Sequence, residues 1–128
     1  MFDSLLSLEE RVKMMVRIES YRFPNPYQYK TVDAGASDIV WELRVSAGYK
    51  AFLSKIYNNW FASTWLELIA DGFPIESKIE RQIGSLTELE SLPSELIAEK
   101  WIRLIAHNND SSSHVFEAVL DGLVCKQV

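Results

Sequence analysis

A chain of 128 residues, 48% hydrophobic and 24% charged, is long enough to enclose a core of its own and too apolar to stay disordered. Its formal charge of −5 disfavours nucleic acid as a general partner, and equally an anionic membrane, since both need clustered Lys and Arg, and favours a basic protein as partner. Cys125 is the single cysteine, so no intrachain disulfide is expected; no basic segment precedes an apolar run at the start, and a cytoplasmic location is expected.

Ser7-Leu8-Glu9-Glu10 has the form of a capping box, and Leu8, Val12, Met15 and Val16 continue as one apolar stripe, which predicts a first helix to about Ser20. Pro24 and Pro26 end it. Residues 22–36, with Phe23, Tyr27 and Tyr29, read as an ordered loop or extended arm. From Ser37 two periods compete. Ile39, Trp41, Leu43 and Val45 alternate with Val40, Glu42 and Arg44 as in a strand. Against this, Trp41, Val45, Tyr49, Phe52, Leu53, Ile56, Tyr57, Trp60, Phe61, Trp65 and Leu68 keep steps of three and four. The longer agreement predicts one central helix over about 37–70, with a short strand at 39–45 as the alternative.

Asp71-Gly72 then reads as a helix C-terminal cap, and Pro74 as the first turn of a helix buried along Ile75, Ile79 and Ile83. Ser85-Leu86-Thr87-Glu88 is a second capping box, with Leu86, Leu89 and Leu92 turned inward. Pro93 opens a further helix through Trp101, Leu104 and Ile105, broken at Asn108-Asn109-Asp110, and a last helix from about Ser113 buries Phe116, Val119, Leu120 and Leu123. The expected fold is all-α: a single helical domain, 1–128, built as an irregular bundle of five to six helices.

Reaction chemistry leaves little trace. The five glycines are scattered and form no phosphate-cradling loop, so no cofactor is assigned. His107, Asp110 and His114 flank one loop, but nothing in their spacing forces them to converge, and no metal site is assigned. Nucleophilic catalysis by Cys125 would require a basic neighbour and an ordered pocket, and this cysteine is expected instead to fill a packing gap or fray with the tail. Glu67 has the most apolar neighbours of the carboxylates, among Trp65, Leu66, Leu68 and Ile69. The segment Trp41-Glu42-Leu43-Arg44-Val45, with Gly48 and Lys50, is similar to the central strand motif of RelE-like ribonuclease toxins. That family continues with another strand and a basic, catalytic C-terminal region, whereas this C-terminal half is acidic.

Charge is distributed unevenly. Residues 1–64 hold eight Lys and Arg against seven Asp and Glu, and the remainder hold five against eleven. The excess lies between Glu67 and Glu99. On a helix, Glu76 with Glu80 and Glu95 with Glu99 would stand four apart and repel, while Glu76, Glu88 and Glu95 would complement first-turn dipoles. The function expected is non-enzymatic protein binding, by an immunity or antitoxin-type inhibitor that covers a basic surface of a partner such as a nuclease toxin. Its contact residues would be Glu76, Glu80, Glu88, Glu90, Glu95 and Glu99, with Tyr27 and Tyr29 as a second patch. Two alternatives stand beside it: a small enzyme with an acid/base site around Glu67, His107 and His114, and a structural or oligomeric subunit marked by an exposed apolar patch.

Overall fold

The computed structural model describes residues 20–127, and they contain no helix. The expected all-α bundle is thus overturned. The strands are β1 (Ser20–Arg22), β2 (Tyr27–Val32), β3 (Ser37–Arg44), β4 (Tyr49–Asn58), β5 (Thr64–Ala70), β6 (Phe73–Ile79), β7 (Glu90–Ala98), β8 (Trp101–Asn108) and β9 (His114–Lys126). The first expected helix lies outside the described residues, except that Ser20 begins β1.

All pairings are antiparallel. One sheet has the order β1-β9-β4-β7, with β2 beside β1 on the same flank of β9; the other has the order β3-β8-β5-β6. If β1 and β2 are taken as one interrupted edge strand, each sheet has four positions, and the chain passes repeatedly from one sheet to the other. This is the strand order of a jelly roll, a sandwich made of two Greek keys. Trp41, Leu53, Ile56, Leu66, Leu68, Ile102, Leu104, Phe116 and Leu120 fill the space between the sheets.

The helical spacing of 37–70 comes from β-bulges. In β4, Ala51 and Leu53 point inward, then the register with both neighbours slips between Leu53 and Lys55, and the next buried residue is Ile56. One bulge turns a step of two into a step of three and imitates a helix period. In β3 a second slip between Ile39 and Trp41 sends both Val40 and Trp41 inward. The strand alternative at 39–45 therefore describes this segment, and the central helix does not form.

Asp71-Gly72 ends an element as expected, but the element is a strand. Both residues have positive φ, 54° and 89°, and they join β5 to β6 as the two-residue turn that suits strand twist. A helix cap and a hairpin turn ask for the same residue types. Ser85 likewise makes half of its expected capping box: its hydroxyl accepts from the Glu88 amide at 3.0 Å, in an isolated turn with no helix behind it.

The Asp71 carboxylate also accepts from the backbone amides of Glu99, Lys100 and Trp101 at 2.8, 2.7 and 3.0 Å, so one side chain ties the β5–β6 turn to the β7–β8 turn. Burial pushes its pKa up, but the three amide bonds outweigh burial and hold it below the usual carboxylate value. A depressed folded pKa stabilises above the unfolded value and loses that stabilisation as pH falls through the folded one. Asp71→Asn, which tolerates the positive φ, is expected to cost about 2 kcal/mol at neutral pH. In thermal melts its gap to the parent protein should stay constant above about pH 5 and close below pH 4.

Candidate peptide-docking groove

β6 and β7 are the outermost strands of different sheets, and they face each other across an open side of the sandwich. Each carries a proline, Pro74 and Pro93, as edge strands permit because, among the described residues, one side of their backbone has no ladder partner. Between them lies a groove of about 450 Å³. Leu68 of β5 forms its floor, Ile75 and Glu76 one wall, and Leu92 to Ile97 the other. The apolar walls reach the surface: Ile97 is 54% exposed and Ile75 49%. Exposed apolar side chains on an unpaired edge invite another strand to pair there.

Of the expected acidic contacts, the structure brings Glu76 and Glu95 together in this groove. The others are dispersed and locally engaged. Glu80 pairs with Lys78 at 3.8 Å, Glu90 with Arg81 at 3.3 Å, and Glu99 with Lys50 at 3.4 Å, all at exposed sites. Glu88 sits in the turn capped by Ser85. Strands and loops, not the expected helices, carry these residues.

Tyr27 and Tyr29 lie on β2, at the opposite edge of its sheet from β7, so they do not join the acidic groove. Tyr29 is exposed, whereas the Tyr27 hydroxyl donates to Glu117 at 2.7 Å. The buried Tyr57 donates to the other Glu117 oxygen at 2.6 Å. Burial and the Glu117 bond push Tyr57 up to about 12, and the two hydroxyls, Tyr57 first, hold the Glu117 carboxyl below its usual value. This clamp was invisible in the sequence because 60 residues separate Tyr57 from Glu117.

The proposed acid/base trio is split. Glu67 and His107 meet on the outer face of the second sheet, Oε1 to Nε2 at 2.8 Å, and Ser37 Oγ lies 2.7 Å from His107 Nδ1. Trp65 stacks on the same imidazole, with ring centroids 3.8 Å apart. His114 belongs to the first sheet; it bonds Asp110 at 2.7 Å and stacks on Phe61. The bond from His114 is the main reason the Asp110 carboxyl sits below its usual value. Thus His107 and His114 bind different carboxylates, and among the described residues no three His, Cys, Asp or Glu side chains are placed to share a metal ion. Cys125 is buried in β9, and burial, helped by the charge of Glu95, raises its thiol pKa.

No family model matches the chain, and no curated protein matches it. Among solved structures it is similar to the infectious bursal disease virus VP2 subviral particle at 9% identity and a TM-score of 0.43. It is also similar to the infectious bursal disease virus Gx strain structure, at 9% identity and a TM-score of 0.45. In each case 84% of this chain is covered and 32% of the other, so the chain spans about a third of those relatives. A de novo designed double-stranded β-helix is a third neighbour, at 13% identity and a TM-score of 0.32, with 73% of this chain and 96% of that one covered. The jelly-roll assignment rests on strand order, not on these likenesses. No helix among the described residues is long and apolar enough to cross a membrane.

Proposed function

We propose that this chain is a cytoplasmic, non-enzymatic protein-binding domain, of the immunity or antitoxin kind, whose β6–β7 groove takes an extended basic segment of its partner. The observation that carries the reading is the groove itself: an apolar floor, two strand edges unpaired among the described residues, and the carboxylates of Glu76 and Glu95 lining the space between them. An extended peptide placed there can add to a strand edge through its backbone, set alternate apolar side chains on Leu68, Ile75 and Leu96, and present Lys or Arg to the two acids.

The test uses fluorescence anisotropy with a labelled peptide of alternating Lys and Val, against a control of alternating Glu and Val. The basic peptide should bind with affinity that falls as salt rises. Glu76→Lys combined with Glu95→Lys should weaken it by about tenfold or more, since like charges across an interface are strongly disfavoured. Glu90→Lys with Glu99→Lys makes the same change in net charge outside the groove and should have little effect. Equal binding of both peptides, or equal sensitivity to both double reversals, would overturn the reading.

A second reading has one observation in its favour. The hydrogen-bonded series Ser37–His107–Glu67 contains the residue types of a nucleophile, a base and an orienting carboxylate. It lies on the outer face of the second sheet. Hydrolysis of an activated ester that disappears in Ser37→Ala would make the chain an enzyme and overturn the non-enzymatic proposal.

A further inference from the structure

The outer face of the second sheet is built differently from the wet side of an ordinary sandwich. In β8 the residues Ile102, Leu104, Ala106 and Asn108 are buried, which turns Trp101, Arg103, Ile105 and His107 outward. Register then fixes their neighbours. Ser37 and Trp65 flank His107, Ile39 and Glu67 flank Ile105, Glu42 and Ile69 flank Arg103, and Arg44 flanks Trp101. The polar groups are held down on the sheet: Arg103 bonds Glu42 at 2.6 Å with its guanidinium 4.0 Å over the Trp101 ring, and Trp65 covers His107. The Arg103 bond is the main reason the Glu42 carboxyl sits below its usual value. Ile39, Ile69 and Ile105 fill the middle, Ile39 exposed and Ile69 and Ile105 partly so. Antiparallel sheets that face water normally show polar side chains there.

We infer that this face binds a second copy of the same chain through a twofold, isologous contact centred on Ile105. The charge pattern selects this occupant. The charged side chains lining the groove between β6 and β7 are both acids, whereas this face carries both signs, with Arg103 beside Glu42, and Glu67 one strand over from Ile105. Arg103 lies one row from Ile105 along the β8 strand, and Glu67 lies one strand away in the Ile105 row. Rows two residues apart are about 6.7 Å from each other and strands about 4.8 Å, so the two offsets are similar. A twofold axis running diagonally in the face exchanges them. The strands of the two copies then cross near a right angle, one of the two common ways for sheets to stack. In that arrangement Ile105 and Ile69 meet their own counterparts, and Arg103 of each copy lies over Glu67 of the other, so the surface is self-complementary as a closed dimer requires.

Sedimentation equilibrium of the full chain tests the inference. The parent protein should be dimeric at roughly 100 µM, a concentration that reveals even weak contacts. Ile105→Arg should weaken association by roughly thirtyfold or more, while its circular dichroism and melting curve stay those of the parent. Glu67→Arg and Arg103→Glu should each be monomeric alone, because each sets like charges against each other twice. Mixed in equal amounts they should dimerise again, since the mixed pair restores both opposite-charge contacts; a misfolded variant could not be rescued in this way. A parent chain monomeric throughout, a dimer untouched by Ile105→Arg, or a mixture that stays monomeric would overturn the inference. Glu76→Lys with Glu95→Lys should leave the dimer intact, which separates this face from the groove.

Discussion

Gly122→Ala is expected to lower the urea unfolding midpoint sharply, at a cost of roughly 3 kcal/mol or more. Gly122 stands opposite Leu53 in β9, beside the bulge of β4. A Cβ built there collides with the Phe52 carbonyl oxygen and comes within 2.8 Å of the tip of the Phe23 ring. Neither group can withdraw. Phe52 belongs to the central β4–β9 pair of its sheet, and Phe23 is 3% exposed, with its amide bonded to the Gly122 carbonyl at 3.2 Å. The glycine therefore makes the space through which Phe23 enters the core. Gly35→Ala is the informative contrast. Gly35 has φ of 75° with nothing within 4 Å of a new Cβ, so its cost is conformational alone, about 1 kcal/mol. A Gly122→Ala midpoint no lower than that of Gly35→Ala would refute the close approach.

Trp41→Ala should cost about 3–5 kcal/mol, among the largest single losses in the core. The bulge in β3 turns Trp41 inward, where it is 1% exposed and its ring centroid lies 5.9 Å from that of Phe23. Its indole Nε1 donates to the Pro26 carbonyl at 2.8 Å, so it also anchors the segment between β1 and β2. Trp41→Phe separates packing from hydrogen bonding. Pro26 keeps a second donor, the Leu120 amide at 3.0 Å, so its carbonyl is not orphaned. Chemical denaturation followed by circular dichroism should give Trp41→Phe a loss of only about 1–2 kcal/mol. Equal losses for both variants would mean that the indole bond, not the ring volume, holds the site.

Several local signals were legible in the sequence while their meaning was not. Asp71-Gly72, Pro24 and Pro26 mark chain reversals or interruptions, as expected, yet the elements they punctuate are strands. Leu53, Ile56, Tyr57 and Leu68 belong to the supposed helical stripe and are indeed buried, but bulges supply their spacing. In β8 and β9 a different effect hid the alternation. Trp101 and Ile105, and likewise Val115, Val119 and Leu123, put apolar side chains on the outward face, so neither strand reads as apolar-in and polar-out. The groove was half legible. The charge of Glu76 and Glu95 is plain in the sequence, but their meeting depends on β6 and β7 closing different sheets on the same side, a nonlocal fact. The bond between Glu67 and His107 spans 40 residues, and Ser37, the third member, gave no signal of its own.

The central claim is that the open side between β6 and β7 receives an extended basic segment. A titration of the isotope-labelled chain with the alternating Lys and Val peptide, followed by amide NMR shifts, tests it most directly. The account predicts shifts at Ile75, Glu76, Leu92, Ser94 and Leu96, with Arg103, Ile105 and His107 unmoved. Shifts confined to the outer face of the second sheet or to Tyr27 and Tyr29, or no shifts at all, would contradict it.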